Sequence, residues 1–457
     1  MIHNHISTAP FIVPSRIRFR DTLRQLAHPR SILFLGILLR IIVFWFQAPF
    51  NNDNHYSVIS FVYHTHALPP SALLMQSYHP PLYYLLASPL FPSGPKTVQI
   101  LSLLFSIGSL VFIYRLVRDP CLSWDPKCQT ICLWFACLLP QYVMFGNYIS
   151  NDSLSIFLGS ATLFASLRYL QKPDRRRLIR LSVVTGLGLS TKGTFLAFMP
   201  AVTALVVFRH IKDQNRMGRL VVSVALFLFI SGSLGIYKYA ENMVNYGHPI
   251  VHNLDPDPPW AGKQKPTYDG IRSWVDLNIA KLAQHPTVSP HTRRSYPLLF
   301  YGTFWYQYIH ESNFSGNRTR WRYLGSLIYL AAIIPTVVLF TDLVCVISRV
   351  SGALTVPGNR AGRTPTRTLF ETFCVLVIAL NLVLVIAAGI RFDVWSCFQS
   401  RLLFASFFSV LVLLNAGLEF TARKGAGYFR LASSSFAVLF VLFLAYFVSE
   451  IGQILLG

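Results

Sequence analysis

Long apolar runs recur along this chain, and short blocks of Lys and Arg separate them. A run of about 17–25 apolar residues can cross the hydrocarbon core of a bilayer as a helix. With 53% hydrophobic and 13% charged residues over 457 positions, the chain is too apolar for an ordinary soluble enzyme. The pattern therefore predicts an all-α integral membrane protein.

The runs account for eleven crossings. The continuous runs are 31–49, 97–117, 128–149, 153–170, 219–238, 322–347, 369–390, 400–420 and 430–455. A further pair of shorter runs, 178–191 and 193–208, is interrupted at Thr191-Lys192-Gly193, and we interpret it as two spans that meet at an outer turn. The chain is therefore expected to contain about eleven transmembrane helices.

The basic residues set the orientation of this bundle. Cytoplasmic loops of membrane proteins are enriched in Lys and Arg. Eleven crossings place every basic block of the short loops on one side, and residues 47–95 contain neither Lys nor Arg. The net charge of +22 is thus spread over separate loops. This distribution argues against nucleic-acid binding, which needs a contiguous basic surface.

The chain divides into four predicted parts. Residues 1–30 are basic without an apolar core, so we expect a cytoplasmic arm and not a signal peptide. A membrane module, 31–238, contains the first outer loop, 47–95. A long outer loop, 239–321, and C-terminal transmembrane helices, 322–457, follow. In the first outer loop, the stretch between Pro80 and Pro89 is too short to span and predicts an interfacial or re-entrant helix, with tyrosines suited to the headgroup layer.

Two aspartates stand just beyond the outer ends of apolar runs. Asp53 follows the run that ends near Phe50, and Asp152 follows the run that ends at Tyr148. A carboxylate at this depth can accept a proton from an attacking hydroxyl, and a partly dry setting tunes its basicity. Each aspartate could instead cap the helix that follows, since Asp before a helix accepts backbone N–H bonds. The sequence leaves both interpretations open.

Lys192 and His79 are candidate phosphate ligands. Lys192 lies between two apolar half-spans, where an ammonium group is costly unless it reaches the interface or finds an anion. Gly193 and the helix start that follows would add N–H donors for a phosphate. His79 precedes two prolines and could donate to a phosphate or end an interfacial turn.

Arg391 and Arg401 flank a short outer loop, against the bias that keeps basic residues inside. Such an arginine is expected to pair with an anion, because its planar guanidinium matches carboxylate and phosphate groups. That anion could be a ligand phosphate, or a carboxylate of Asp393 or Glu241. A binding role and a structural salt bridge are therefore alternatives.

Four short motifs follow one another along the chain. Residues 53–56 read Asp-Asn-His-Tyr and residues 79–84 read His-Pro-Pro-Leu-Tyr-Tyr, while residues 150–154 read Ser-Asn-Asp-Ser-Leu and residues 188–193 read Gly-Leu-Ser-Thr-Lys-Gly. In order, they resemble the acidic-x-x-Tyr loop, the His-Pro-Pro-Leu-Tyr segment, and the Asn-Asp-x-Leu and Leu-Thr-Lys motifs of one family, the GT-C-fold glycosyltransferases that use polyprenyl-phosphate sugars. Residues 246–249 and 399–402 are weaker matches. Members include dolichyl-phosphate-mannose protein mannosyltransferases and aminoarabinose transferases of lipid A. The chain departs from the family pattern at Asn54, which replaces a frequent second acid, and at His248, which replaces an Asp.

The resemblance implies a hexosyl or pentosyl transfer from a lipid-phosphate sugar to an acceptor hydroxyl, with inversion and with Asp53 as the catalytic base. A lipid phosphate is a good leaving group, so one carboxylate and cations suffice, and neither a metal ion nor another cofactor is predicted. The implied partners are a polyprenyl-phosphate sugar, a lipid, glycan or protein acceptor, and membrane lipids. The implied substrate-binding residues are Asp152, His79, Tyr56, Lys192, Arg401 and Arg391.

Two other functions are compatible with the sequence. A transporter or flippase of lipid-linked sugars would usually show paired, repeated halves with broken helices in matching positions. The chain has one broken pair and no visible repeat. A non-catalytic member of the same family is the other alternative. The style of the motifs favours a bacterial inner membrane over the endoplasmic reticulum, and in either case the site is predicted to face away from the cytoplasm.

Overall fold

A computed structural model describes residues 28–50, 53–212, 217–255, 271–284, 286, 294–306, 321–341, 365–392 and 394–456. These residues form α-helices and short 3₁₀ helices, and they include no β-strand. The predicted all-α class is therefore confirmed. The predicted basic arm up to residue 27, and parts of the long outer loop 239–321, lie outside the described residues.

Helices follow one another along nearly the whole described chain. Those of the N-terminal half are α1 (Pro29–Phe46), α2 (His55–Thr65), α3 (Leu82–Ala87), α4 (Pro95–Val117), α5 (Pro126–Leu138), α6 (Pro140–Asn147), α7 (Asn151–Gln171), α8 (Arg175–Leu189), α9 (Phe198–Lys212), α10 (Met217–Gly235) and α11 (Tyr237–Tyr246). Those of the C-terminal half are α12 (Arg272–Val275), α13 (Ile279–Gln284), α14 (Tyr296–Trp305), α15 (Trp321–Ala331), α16 (Ile333–Thr341), α17 (Pro365–Phe392), α18 (Phe407–Lys424) and α19 (Ala426–Leu456). The 3₁₀ helices cover Ser88–Ser93, Gly193–Ala197, Trp395–Phe398 and Ser400–Ser406.

Nine helical segments of the described chain are long and apolar enough to cross a membrane. The bent pair of α5 and α6, with 48° between the two helices, makes a tenth if it counts as one span. α8 has 15 residues and covers about 22 Å at 1.5 Å per residue, less than the hydrocarbon thickness of about 30 Å. The predicted count of eleven crossings is therefore not confirmed, although every predicted run contains a helix.

The predicted run 128–149 is two helices because Pro140 interrupts it. Pro140 has no backbone N–H and cannot donate to the carbonyl of Ala136. The buried guanidinium of Arg40, on α1, replaces the missing donor: Nη2 donates to the Ala136 carbonyl at 3.1 Å, and Nη1 lies 3.4 Å from the Cys137 carbonyl. The bend is thus held by a side chain from the first span.

α7 and the segment Ser400–Lys424 form the centre of the bundle. In each of these two segments, 78% of the most apolar 18-residue stretch is buried, whereas in α10 the buried share is 11%. The two touch at Gly159, where an added Cβ would lie 1.8 Å from the carbonyl oxygen of Ala405, so only glycine allows this approach. Asp152 precedes Gly159 and Arg401 precedes Ala405. The contact therefore also brings the starts of these two segments together.

The first outer loop carries α2, α3 and the 3₁₀ helix Ser88–Ser93, and none of its described helices is a candidate span, as predicted. The backbone N–H of Leu82 donates to the carbonyl of Ser190 at 2.9 Å, and the Tyr83 hydroxyl lies 3.0 Å from Ser102 Oγ. Tyr83 and Tyr84 are both buried. Both tyrosines therefore pack inside the protein, and their expected position at the depth of the headgroup layer stays a prediction.

Candidate functional site: a cluster of two carboxylates and two cations

Arg401 lies between two carboxylates. Its Nη1 donates a hydrogen bond to Oδ2 of Asp53 and lies 3.4 Å from Oδ2 of Asp152. The Arg401 side chain is 10% exposed, and those of Asp53 and Asp152 are 20% and 6% exposed. A guanidinium can serve two carboxylates because it carries five N–H donors. Arg401 thus joins the loop after α1 to the start of α7.

Lys192 completes the cluster. Its ammonium group donates to Oδ1 of Asp152, and its side chain is 8% exposed. Two carboxylates and two cations therefore meet with no net formal charge. This balance is what allows four charges to be buried together, since an unpaired buried charge is strongly unfavourable. We call Asp53, Asp152, Lys192 and Arg401 the charge cluster.

Neither aspartate caps a helix. Ser150 caps α7, and its Oγ accepts a hydrogen bond from the backbone N–H of Asp152 at 3.1 Å. Asn54 is the capping residue of α2; it has a left-handed φ of 49°, and its side chain makes no capping hydrogen bond. The carboxylates of Asp53 and Asp152 contact Arg401 instead. The capping alternative is therefore wrong for both residues.

Lys192 is buried and not extended into solvent: its side chain is 8% exposed. It follows the turn after α8 and precedes the 3₁₀ helix Gly193–Ala197. The side-chain amide of Asn151 donates to the carbonyl of Thr191 at 3.3 Å, which fixes this turn against the start of α7. A Cβ added to Gly193 would meet nothing within 4 Å. Open space therefore lies beside the backbone of Gly193, the residue that follows Lys192.

Two opposing effects set the acidity of Asp53. Burial alone raises the pKa of its carboxyl, whereas the Arg401 guanidinium lowers it, with a smaller lowering by His55. The lowering effects prevail, so the pKa of Asp53 lies below its ordinary value. Asp53 is therefore ionised at neutral pH.

His79 lies in a stack of rings beside the charge cluster. Its ring centroid is 4.0 Å from that of Tyr78 and 5.8 Å from that of His55. Burial lowers the pKa of His79 well below its ordinary value, and the charges of Lys192 and Arg401 lower it further. A neutral imidazole can donate one hydrogen bond but adds no positive charge for a phosphate.

Tyr56 and Arg391 make their contacts elsewhere. The Tyr56 ring packs against Phe50 and Phe91, with ring centroids 5.3 and 5.0 Å apart. The Arg391 side chain is 55% exposed, and its Nη2 donates to Oδ1 of Asp255 at 2.6 Å. The structure therefore joins neither residue to the charge cluster by a side-chain contact, and their substrate-binding roles stay predictions.

Of the two carboxylates considered as arginine partners, Glu241 pairs with a lysine instead. Oε2 of Glu241 is 2.9 Å from Nζ of Lys238, and Asp393 lies outside the described residues. Both arginines nevertheless form ion pairs, Arg401 within the charge cluster and Arg391 with Asp255.

His55 is a buried residue at this site that the sequence analysis missed. Its Nδ1 lies 2.9 Å from the hydroxyl oxygen of Tyr84. Burial lowers the pKa of His55 to about 4, although Asp53 and Asp152 act in the opposite direction. In the sequence, only its position two residues after Asp53 indicates that His55 belongs to this site. That position does not predict the contact with Tyr84.

A metal site is not predicted from the sequence. Over the ranges that the structure covers, no group of three or more His, Cys, Asp or Glu side chains is arranged to hold a metal ion. The expectation that neither a metal nor another cofactor is needed stays a prediction, because it concerns the reaction and not the arrangement of these residues.

Residues 78–233 match the model of the dolichyl-phosphate-mannose-protein mannosyltransferase family. The matched region includes His79, Asp152 and Lys192 and ends within α10. The match confirms, over about a third of the chain, the resemblance that the motifs indicated. Together with the helical bundle, it supports a membrane glycosyltransferase in general terms. No curated protein matches the chain.

Two solved structures are similar to the chain at low sequence identity. An oligosaccharyltransferase from Archaeoglobus fulgidus, solved in complex with Zn and sulfate, covers 91% of this chain at 13% identity and a TM-score of 0.48. The chain spans about half the length of that structure, 52%. ArnT from Cupriavidus metallidurans, solved with bound undecaprenyl phosphate, covers 88% of this chain at 12% identity and a TM-score of 0.36, and 78% of its own length is matched.

Proposed function

We propose that this chain is a membrane glycosyltransferase that moves a sugar from a polyprenyl-phosphate carrier to an acceptor hydroxyl on the non-cytoplasmic face, with inversion at the anomeric carbon. The charge cluster is the observation that carries this proposal. It combines a carboxylate able to act as a base with two cations able to hold a phosphate. The family match over residues 78–233 supports a lipid-phosphate sugar as the donor.

Asp53 is better placed than Asp152 to act as the base. Its side chain is 20% exposed, whereas that of Asp152 is 6% exposed and contacts both Lys192 and Arg401. In the proposed step, Asp53 takes the proton of the acceptor hydroxyl while the acceptor oxygen bonds to the anomeric carbon. The bond from that carbon to the phosphate oxygen breaks, and the phosphate leaves with the electron pair. Asp152 holds the two cations in position.

Arg401 couples donor binding to the strength of the base. In the charge cluster its guanidinium lowers the pKa of Asp53 and so weakens the carboxylate as a base. A donor phosphate competes with Asp53 for Arg401, because guanidinium groups bind phosphate and carboxylate alike. Asp53 then becomes more basic when the donor is in place. Lys192 stabilises the negative charge on the departing phosphate.

The basic ends of the central helices support a non-cytoplasmic site. α7 begins with Asp152 in its first turn, and Arg168 lies in its last turn. The segment that contains Arg401 ends at Arg423 and Lys424. The charge cluster and these basic residues therefore lie at opposite ends of the same segments. Because basic ends face the cytoplasm, the charge cluster is expected on the other face.

The test is Asp53→Asn in the purified full-length chain, assayed against a panel of polyprenyl-phosphate sugars with mass-spectrometric detection of the product. Asn keeps the size of the side chain and removes the base, which typically contributes about 10²–10⁴-fold to a rate. We therefore expect product formation to fall by about 100-fold or more. Asp276→Asn is the matched control, because Asp276 pairs with Lys281 at 2.5 Å in the long outer loop.

Wild-type amounts of product from Asp53→Asn, at normal expression, would rule out the proposed base. The same preparations separate the two alternative functions. A flippase would move lipid-linked sugar across liposomes without forming product. A non-catalytic member would bind the donor without transferring its sugar.

A further inference from the structure

Tyr84 determines which nitrogen of His55 carries the proton. The Tyr84 hydroxyl lies 2.9 Å from Nδ1 of His55 and donates to the backbone carbonyl of Gln76 at 3.1 Å. A hydroxyl has one hydrogen to donate, so the Tyr84 oxygen can only accept from Nδ1–H. Burial raises the pKa of Tyr84, which keeps the phenol protonated. The hydrogen-bond network thereby assigns the Nδ1–H tautomer to His55.

The His55 ring is neutral. Its pKa is lowered to about 4, chiefly by burial; Asp53 and Asp152 raise it, and Lys192 and Arg401 lower it, by smaller amounts. With the proton on Nδ1, Nε2 presents an unshared electron pair. Among the residues that the structure describes, Nδ1 is the ring nitrogen with a hydrogen-bond partner, and Nε2 makes no hydrogen bond.

The ring is held in one orientation. It stacks with His79 at a centroid distance of 5.8 Å and an interplanar angle of 15°, and the Tyr84 ring lies 5.9 Å away at 25°. The residue as a whole is 3% exposed. Asp53, two residues earlier, is the proposed base. Nε2 is therefore a fixed hydrogen-bond acceptor, on a ring near enough to the Asp53 carboxylate for the two to interact electrostatically.

We propose that Nε2 of His55 accepts a hydrogen bond from a hydroxyl group of the transferred sugar or of the acceptor, and so helps to select a hydroxylated substrate. This inference rests on the proposed function, because it places that hydroxyl beside Asp53. A neutral ring suits the position, since an imidazolium would have donors only and would repel Lys192 and Arg401.

The protonation state of the two His55 ring nitrogens can be measured without enzyme turnover. The full chain with ¹⁵N-labelled histidine is compared by NMR with His55→Asn, whose missing signals identify His55 among the 13 histidines. We expect a protonated Nδ1 and an unprotonated Nε2 between about pH 6 and about pH 8. Tyr84→Phe removes the acceptor for Nδ1–H and should populate the other tautomer. A protonated Nε2 in the unsubstituted chain would overturn the proposal.

Two substitutions separate hydrogen bonding from packing. In His55→Asn the amide N–H can still donate to Tyr84, but the acceptor at Nε2 is lost. In His55→Gln the side-chain oxygen can take the place of Nε2. We expect His55→Asn to raise KM for one substrate about 10-fold with a smaller change in kcat, and His55→Gln to stay within about threefold. His64→Gln, at an exposed position of α2, is the control and should change neither constant.

The substrate whose KM rises identifies the source of the hydroxyl, the donor sugar or the acceptor. A deoxy analogue without the contacted hydroxyl should be used equally well by His55→Asn and by the unsubstituted chain. Equal KM increases in His55→Asn and His55→Gln, or no increase for either substrate in His55→Asn, would overturn the proposal. A chain that transfers sugar from none of the polyprenyl-phosphate donors would contradict the proposed function instead, and the NMR comparison would still decide the state of Nε2.

Discussion

At the scale of single residues, Arg401 sets the proton affinity of Asp53. Burial raises the pKa of the carboxyl, and the guanidinium lowers it below the ordinary value of about 3.9. A carboxyl with a lowered folded-state pKa contributes stability above that ordinary value, and the contribution is lost as pH falls through the folded-state pKa. The proposed reaction has the same dependence, because it needs the ionised carboxylate. Activity that depends on Asp53 should therefore decline only toward acid pH.

Arg401→Gln should move the acid limb of the kcat/KM profile to higher pH, because it removes the main effect that lowers the pKa of Asp53 while burial still raises that pKa. It should also lower kcat/KM by about 100-fold, since a phosphate ligand is lost. Profiles of kcat/KM against pH measure both effects. Arg168→Gln is the control, because Arg168, in the last turn of α7 and away from the charge cluster, is 43% exposed and pairs with Asp119. An unchanged acid limb in Arg401→Gln would show that Arg401 does not control Asp53.

Lys192→Met should destabilise the chain, because it leaves buried Asp152 with one counter-charge, Arg401 at 3.4 Å. Breaking a buried ion pair outright costs about 3–5 kcal/mol. Because Arg401 remains, we expect a loss of about 1–3 kcal/mol. Combining Lys192→Met with Asp152→Asn should recover part of this loss, since the excess negative charge is removed. Thermal unfolding in detergent measures the series, and a double variant less stable than Lys192→Met would contradict the account.

At the scale of helices, Arg40 compensates for the break that Pro140 makes between α5 and α6. Arg40→Met should destabilise the chain by about 1–3 kcal/mol for each carbonyl that loses its donor, those of Ala136 and Cys137. Pro140→Ala restores a backbone N–H for the Ala136 carbonyl. The double variant should therefore unfold at a higher temperature than Arg40→Met alone. If the stability losses of Arg40→Met and Pro140→Ala simply added up in the double variant, Arg40 would not be the replacement donor at this bend.

The same helices show which structural features can be predicted from the sequence and which cannot. Apolar runs predict the helices because each span must satisfy its backbone polar groups internally. Pro140 carries the signal for the bend, although the run 128–149 looks continuous in composition. The ion pairs of the charge cluster, by contrast, cannot be predicted from the sequence. Asp53 and Arg401 are 348 positions apart, so charge counting can place both on one side of the membrane but cannot pair them. Their pairing depends on tertiary packing, including the close approach at Gly159.

At the scale of the whole molecule, the site is assembled from both halves of the chain. Asp53, Asp152 and Lys192 belong to the predicted N-terminal catalytic module, 31–238, whereas Arg401 comes from the C-terminal helices. One apolar core connects the two halves, from Ile32 to Phe447. The C-terminal helices therefore contribute to the site itself, and the N-terminal module alone does not contain the whole charge cluster.

Two exposed positions at opposite ends of the bundle report its orientation. His64 lies on α2, in the loop that carries Asp53, and Gly427 lies beside the basic end of α18, where an added Cβ meets nothing within 4 Å. A membrane-impermeant maleimide added to intact bacterial spheroplasts should label His64→Cys, and Gly427→Cys only after permeabilisation. The unsubstituted chain supplies the background, since its described cysteines are buried apart from half-buried Cys121. The reverse pattern would place the charge cluster on the cytoplasmic face, where a sugar carrier presented outside cannot reach it.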